Sequence, residues 1–360
     1  MIQDFNIVTL HKAKNYGAVL QAYALRTFLD ISGYEAGVFD AQQISAPVKK
    51  TFRNMLIQGL LKFEKLKYRS AFERRDGKFE RFVDSYLHVN KERNARVFLS
   101  GSDQVWNPIV FNPDYYLEFV TEPSVKASYA ASIGVSKLNP SYYHTYREKL
   151  KGFHSISVRE RSAAEELKKA LGQQTQIRVD LDPVFLLTKE QWTTMADKSL
   201  TTVSGGYILL YILHVPSNLN ELCRWLKREL NLKLVLIDST GLLRKQVKSD
   251  EVLSDIGPLE FLSLIKGADA VITTSFHGTA FSIIFEKEFY SIVNSSFASR
   301  VNNILQQFEL SAVSDNQREF TRHRPSFEKS MEIMEEQRRS SADYFTKLIS
   351  AYEEKKHEQR

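Results

Sequence analysis

Cysteine is almost missing from this chain: Cys223 stands alone among 360 residues. A single thiol rules out an internal disulfide framework, and no Cys-x-x-Cys pair is present to hold a metal. The eight histidines are scattered and form no His-x-x-x-His pair, so no metal site is expected. Long apolar runs are lacking too. None approaches the ~20 residues that a membrane-spanning helix needs. The stretch Met1 to Leu10 has neither a basic leader nor a small-residue cleavage site, so it does not read as a signal peptide. A cytoplasmic location is therefore expected, with a peripheral position at the inner face of the membrane as its variant. Repeats, low-complexity tracts and nucleic-acid-binding motifs are absent, and no nucleic-acid partner is expected.

What is present is an ordinary globular composition, 43% hydrophobic, with a net charge of +6. That excess suits anionic small molecules, phosphorylated lipids or a membrane surface. Strand, turn, helix and strand follow one another within the first forty residues: Phe5 to Leu10, His11 to Gly17, Ala18 to Ile31 and Glu35 to Asp40. This is a βαβ unit and implies a parallel sheet. The rhythm returns at Arg96 to Leu99, Lys126 to Ala131, Ser155 to Val158 and Ile177 to Val179. Ser157 and Glu160 make a Ser-x-x-Glu capping pattern before a helix from Glu160 to Leu171. A second set runs from Tyr207 to Phe308, and a long charged helix from Ser326 to Tyr352. The expected fold class is α/β, with two Rossmann-like domains facing a cleft and a long C-terminal helix. The expected domains are 1–182, 183–315 and a helical segment 316–360.

Residues 41–94 interrupt the pattern. Basic residues from Lys49 to Arg75 are interleaved with Met55, Leu56, Ile57, Leu60, Leu61 and Phe63. A basic amphipathic region of this kind reads either as a peripheral membrane contact through 49–75 or as a helix with a solvated basic face.

Three constellations could carry chemistry. The apolar run Ala270 to Thr274 stops at Ser275-Phe276-His277-Gly278, and helical spacing follows. His277 is thereby placed at the carboxyl end of a strand and at a helix N-terminus, where open α/β sheets bind ligands and anions are favoured. Asn15, Tyr16, Gly17 and Gln21 sit at the first strand-to-helix turn. They offer neutral donors and acceptors for sugar hydroxyls, or else a helix cap with a buried tyrosine. In Ser100 to Pro108, Asp103 could accept a hydroxyl proton while Trp106 packs against a sugar ring, with Gln104 and Asn107 beside them. Equally, Asp103 could cap a turn and Trp106 fill the core. Arg159, in Ser157-Val-Arg-Glu-Arg, is the guanidinium nearest a strand end and a candidate for an anion.

Six motifs occur in order: Asn15-Tyr-Gly-Ala-Val-Leu-Gln-Ala-Tyr-Ala-Leu25, Gly101-Ser-Asp-Gln-Val-Trp-Asn107, Ser128-Tyr-Ala-Ala-Ser132, Ser157-Val-Arg-Glu160, Asp182-Pro183 and Ser275-Phe-His-Gly278. Together they resemble the polysaccharide pyruvyl transferase family, from residue 5 to about residue 310. The resemblance implies a glycosyltransferase-B-like pair of α/β domains. It also implies transfer of the pyruvyl unit of phosphoenolpyruvate onto two hydroxyls of one sugar, forming a cyclic ketal, with no further cofactor. The acceptor implied is a sugar of a polysaccharide precursor, polyprenyl-diphosphate-linked in one version.

Carried over, the family's histidine falls on His277 and its aspartate on Asp103, as the catalytic pair. Its arginine falls on Arg159, and donor contacts extend to Ser275, Phe276, Gly278 and Thr279. Acceptor contacts would be Asn15, Tyr16, Gly17, Gln21, Gln104, Trp106 and Asn107. Some members carry an arginine where this chain has Ser275: either Ser275 and backbone N–H groups suffice, or another basic residue such as Arg300 contributes, or the donor differs. Two other readings stay open: a nucleotide-sugar glycosyltransferase, and a non-catalytic sugar- or lipid-phosphate-binding protein of a polysaccharide assembly system.

Overall fold

The computed structural model describes residues 2–41, 67–293, 299–322 and 324–358. The chain divides into two compact units. Among the described residues, unit 1 holds 2–41, 83–187 and 333–358, and unit 2 holds 67–82, 188–293, 299–322 and 324–332.

The chain starts with β1 (Gln3–Val8), α1 (Tyr16–Ile31) and β2 (Ala36–Phe39). The side chain of Asn15 accepts from Ala18 N and caps α1, and Gly33, at φ +88°, lets the chain turn away at its end. Next come α2 (Arg69–Tyr86), β3 (Val89–Asn90), β4 (Ala95–Ser100), β5 (Val125–Ser128), α3 (Tyr143–Leu150), β6 (Ile156–Val158), α4 (Arg161–Leu171) and β7 (Ile177–Val179). Unit 1 has a parallel sheet in the order β3-β2-β1-β4-β5, with a parallel β6-β7 pair beside it. Its inner strands β2 and β4 are largely buried apolar runs, as parallel sheets covered on both faces require.

Unit 2 contains α5 (Lys189–Ala196), β8 (Tyr207–Tyr211), α6 (Leu219–Leu230), β9 (Lys233–Ile237), β10 (Glu251–Leu253), α7 (Pro258–Gly267), β11 (Ala270–Thr273), α8 (Phe276–Ile284), β12 (Glu288–Val293), α9 (Ser299–Gln307) and β13 (Val313–Ser314). Its sheet is parallel in the order β10-β9-β8-β11-β12-β13. Ile208, Leu210, Leu236 and Ile272 form its core against Leu222 and Leu226 of α6. The chain ends with α10 (Glu328–Glu358), most of which belongs to unit 1. There Phe345 meets Phe5 at 5.7 Å between ring centres, and the Tyr344 hydroxyl donates to Ser128 O at 2.9 Å.

The expected α/β class, with Rossmann-like parallel sheets and a long C-terminal helix, is what the chain forms. One local expectation is corrected. Ser157 does not cap α4: Glu160 is the cap residue and makes no side-chain cap bond. The Ser157 hydroxyl donates to Asp180 Oδ2 at 2.5 Å, a partner on the far side of α4 in sequence. The basic stretch falls largely outside the described residues, which omit 42–66. Of its remainder, Arg74 pairs with Asp255 at 3.0 Å, and Arg75 is buried with its guanidinium over the Phe79 ring. Among the described residues, no helix is long and apolar enough to cross a membrane.

Candidate active site

In each sheet the strand order reverses at one place, and a crevice opens there beyond the carboxyl ends of the strands. In unit 1 that place lies between β1 and β4, and the turns leaving them carry Asn15 to Gly17 and Gly101 to Asn107. In unit 2 it lies between β8 and β11, and the turn after β11 carries Ser275 to Gly278. Most of the residues singled out from sequence thus lie at the two switch points, whereas Arg159 follows β6 of the separate β6-β7 pair.

Five of the six motifs are joined in unit 1 by one buried chain of hydrogen bonds. Gln21 Nε2 donates to Thr9 Oγ1 at 3.0 Å, and Thr9 Oγ1 donates to Ser102 O at 2.7 Å. Ser102 Oγ donates to Asp182 Oδ2 at 3.1 Å, and Arg159 Nη1 reaches the same oxygen at 2.5 Å. Arg159 Nε donates to Glu160 Oε1 at 3.1 Å, which also accepts from Ser132 Oγ at 2.9 Å. Burial works to lower the Arg159 pKa. The carboxylates of Glu160, Asp182 and Asp103 outweigh it and hold the guanidinium above its ordinary value.

Asp103 sits in the left-handed region at φ 70°, with its carboxylate accepting from Gln104 N at 2.8 Å. Aspartate tolerates that conformation better than most residues, and such strain concentrates at functional sites. Asp103 is half-buried at the strand-end turn, so its carboxylate is not sealed in. Gln104 and Asn107, also half-buried, bond to each other at 2.9 Å.

Several expected tasks change. Trp106 is fully buried; its ring stacks on Tyr116 and meets Phe153 edge-on, and its N–H donates to Tyr115 O at 3.1 Å. It fills the core of unit 1 and offers no exposed face to a sugar. Gln21 is likewise fully buried, and its amide also donates to Ala18 O at 2.9 Å. Tyr16 is buried, and exposed Asn15 is the helix cap. Arg159 is held between two carboxylates of its own unit, in a cluster where acidic groups outnumber it. A dense anion would have to compete with them.

In unit 2, Ser275 Oγ caps α8 by accepting from Gly278 N at 3.4 Å. Thr273 Oγ1 accepts from Ser275 N at 3.0 Å and donates to Tyr211 O at 2.7 Å. A Cβ on Gly278 would lie 2.3 Å from Thr273 Oγ1 and 3.0 Å from Tyr211 Cδ1. Only glycine lets α8 start this close to the sheet. His277 follows Phe276, whose ring it meets edge-on at 5.0 Å, and is 9% exposed. Thr279 Oγ1 donates to Ser275 O at 3.0 Å and packs inward. The side chain of Arg300 falls outside what is described.

Two histidines escaped the sequence reading, each three residues past a strand. His11 is buried at 2% exposure. Its Nδ1 donates to Thr9 O at 2.9 Å, and its Nε2 lies 3.7 Å from Asp40 Oδ1. Burial lowers its pKa; neighbouring Lys12 acts the same way, and Asp40 opposes them. His214, half-buried, leaves β8 at the switch point of unit 2. Elsewhere in unit 2, a hollow of about 610 Å³ is lined by Asp269, Glu286, Glu288 and Arg322 among others. It opens at the amino ends of β11 and β12, opposite to His277, and its carboxylates disfavour an anionic ligand.

Two units, each with a Rossmann-like parallel sheet, and a last helix that packs in the first define a two-unit α/β protein. The chain belongs to the polysaccharide pyruvyl transferase family, whose model matches residues 15–296, and it is a transferase of that family. No curated protein matches it. Among solved structures it is similar to the UDP-GlcNAc 2-epimerase of Neisseria meningitidis, at 9% identity over 98% of this chain and 96% of that one, with a TM-score of 0.47. The UDP-GlcNAc 2-epimerase of Methanocaldococcus jannaschii is similar at 12% identity over 93% and 99%, with a TM-score of 0.46. A glycosyltransferase from Rickettsia africae is similar at 12% identity over 98% of both chains, with a TM-score of 0.44.

Proposed function

We propose that the protein transfers the pyruvyl unit of phosphoenolpyruvate onto two hydroxyls of one sugar in a polysaccharide precursor, forming a cyclic ketal and releasing phosphate. The observation that carries this reading is the family's Ser-Phe-His-Gly motif, seated at the switch point of unit 2 on a helix N-terminus. Backbone N–H groups and the helix dipole favour an anion there.

The chemistry needs a proton on the methylene carbon, which becomes the methyl group and leaves the adjacent carbon electrophilic. A sugar hydroxyl attacks that carbon and gives up its proton. Phosphate departs, and the second hydroxyl closes the ring with loss of its own proton. His277 is assigned the first proton, as the imidazole carried on the strand-end turn whose helix N-terminus would meet the anion. Asp103 is assigned to the acceptor hydroxyl, as a half-buried carboxylate held in a strained turn. Arg159 is assigned to positioning: it ties the Asp182 and Glu160 segments together beneath the Asp103 turn.

Incubation with phosphoenolpyruvate and polyprenyl-diphosphate saccharides, followed by mass spectrometry, tests the reading. A gain of one pyruvyl unit with release of phosphate is expected. Nucleotide release from a nucleotide sugar, with no use of phosphoenolpyruvate, would instead identify a glycosyltransferase. Inertness toward both donors would point to a binding protein.

A further inference from the structure

Phosphoenolpyruvate carries a phosphate and a carboxylate on three carbons. The turn that would receive it in unit 2 has an uncharged Ser275, whose hydroxyl is spent on capping α8. In unit 1, Arg159 is held by Glu160 and Asp182. One further cationic group beside His277 would complete the donor site.

The strand register of unit 2 points to one. Thr273 of β11 lies opposite Tyr211 of β8, so the residues leaving both strands run side by side. Leu213 N donates to Thr274 Oγ1 at 2.9 Å and clamps the two exits together just before they diverge around the crevice. His214 is the next residue on one side, and Ser275 to His277 are the next on the other. The loop bearing His214 is pinned at its far end as well. Ser217 Oγ donates to Asp315 O at 2.8 Å, and Asn218 Nδ2 donates to Ser314 O at 2.9 Å and to Gln317 O at 3.1 Å. His214 thus stands on a loop fixed at both ends, at the mouth of the switch point rather than in the core.

We propose that His214 is a donor-binding residue, whose imidazolium contacts the phosphate or carboxylate of phosphoenolpyruvate in the role that an arginine at position 275 would fill. The inference rests on the pyruvyl-transfer reading of the site. In the free protein, burial lowers the His214 pKa, and the carboxylate of Asp315 opposes this. A bound anion adds a second group favouring the charged form, so donor binding draws a proton from solvent. Asp315 is the charged group that acts on His214, and His277 leaves the neighbouring strand β11.

Titration calorimetry of the full chain with phosphoenolpyruvate, in two buffers of different ionisation enthalpy, tests the inference. The wild-type protein is expected to bind with net proton uptake. His214→Gln should weaken binding roughly 10- to 100-fold, the worth of one charge-assisted hydrogen bond, and should reduce the proton uptake. His214→Arg should recover the affinity while still lacking that uptake, which a mere folding defect cannot produce. An unchanged dissociation constant and unchanged uptake in a folded His214→Gln protein overturn the inference and leave the reaction standing. Failure of wild-type protein to bind phosphoenolpyruvate overturns the reaction itself, and the role of His214 with it.

Discussion

Replacing Arg159 with methionine should cost unit 1 a large part of its stability. The guanidinium is 4% exposed, Asp182 is not exposed at all, and Glu160 is 7% exposed. Methionine fills much of the volume but leaves two carboxylates facing each other without a cation. Removing one partner of a buried pair costs about 3–5 kcal/mol. The Ser102 and Ser132 hydroxyls and Val184 N remain to solvate the carboxylates, which places the expected loss near the lower figure. Against a total of about 5–15 kcal/mol that is a decisive fraction. Urea unfolding by circular dichroism should show it, with hydrogen exchange on peptides from β4 to β6 assigning the loss to unit 1. Arg159→Lys keeps the charge but cannot bond both carboxylates in the same planar fork, so it should fall between. Adding Asp182→Asn and Glu160→Gln to Arg159→Met should return part of the loss. A loss of about 1 kcal/mol or less, the value of an exposed pair, would show that this cluster is not the buried tie described above.

His277→Ala should lower ketal formation by roughly 100- to 10,000-fold, the usual effect of losing a general acid, with the urea midpoint little changed; turnover close to wild type would remove His277 from the chemistry. Gly278→Ala should destabilise unit 2 by about 1–3 kcal/mol through the overpacked contact with Thr273, and an unaltered melting curve would contradict that close approach. For His11, burial puts the folded pKa below the 6.5 of the unfolded chain. Between those two values the unfolded state binds the extra proton, so stability rises with pH up to about 6.5 and is then flat. Urea midpoints measured from about pH 5 to 8 should show this slope diminished in His11→Gln, and an identical slope in both proteins would contradict it. The Cys223 thiol, pushed up to about 12 by burial, should resist thiol reagents until the protein unfolds; rapid labelling of native protein would disagree.

The regular part of the fold is written plainly in the sequence. Ile177–Val179 is read to the residue, because Ile177 and Val179 alternate about Arg178 between a polar stretch and Asp180. Val89–Asn90 and Val313–Ser314 have two residues each, too few for any period to register. The eight-residue helices Tyr143–Leu150 and Lys189–Ala196 carry too narrow an apolar stripe to declare themselves. The motifs of the site were legible, but the way unit 1 joins five of them was not. That joining runs between residues up to 93 positions apart, as from Thr9 to Ser102. Residue type also says little about exposure: Trp106 and Gln21 look suited to a sugar and are both fully buried. The Ser157 pattern misled for the same reason, since its hydroxyl prefers a distant carboxylate to the adjacent helix. His11 and His214 were passed over as lone histidines. A position three residues beyond an apolar β-run was the signal that could have marked them.

The last helix gives unit 1 a timing problem during synthesis. Phe345 of α10 packs on Phe5 and Phe28, and Tyr344 and Ser341 bond to the Ser128–Tyr129 segment. Those partners leave the ribosome early, while α10 follows the whole of unit 2. Domains commonly fold as they are made, N-terminal first. Here the unit that begins the chain must wait for residues beyond 333 before its core can close, whereas the strands and helices of unit 2 are already in hand. Unit 2 is thus free to fold first, and until α10 emerges the incomplete sheet of unit 1 exposes the surface that α10 will cover. A nascent chain stalled before α10 would be expected to hold a folded second unit and an unfinished first one.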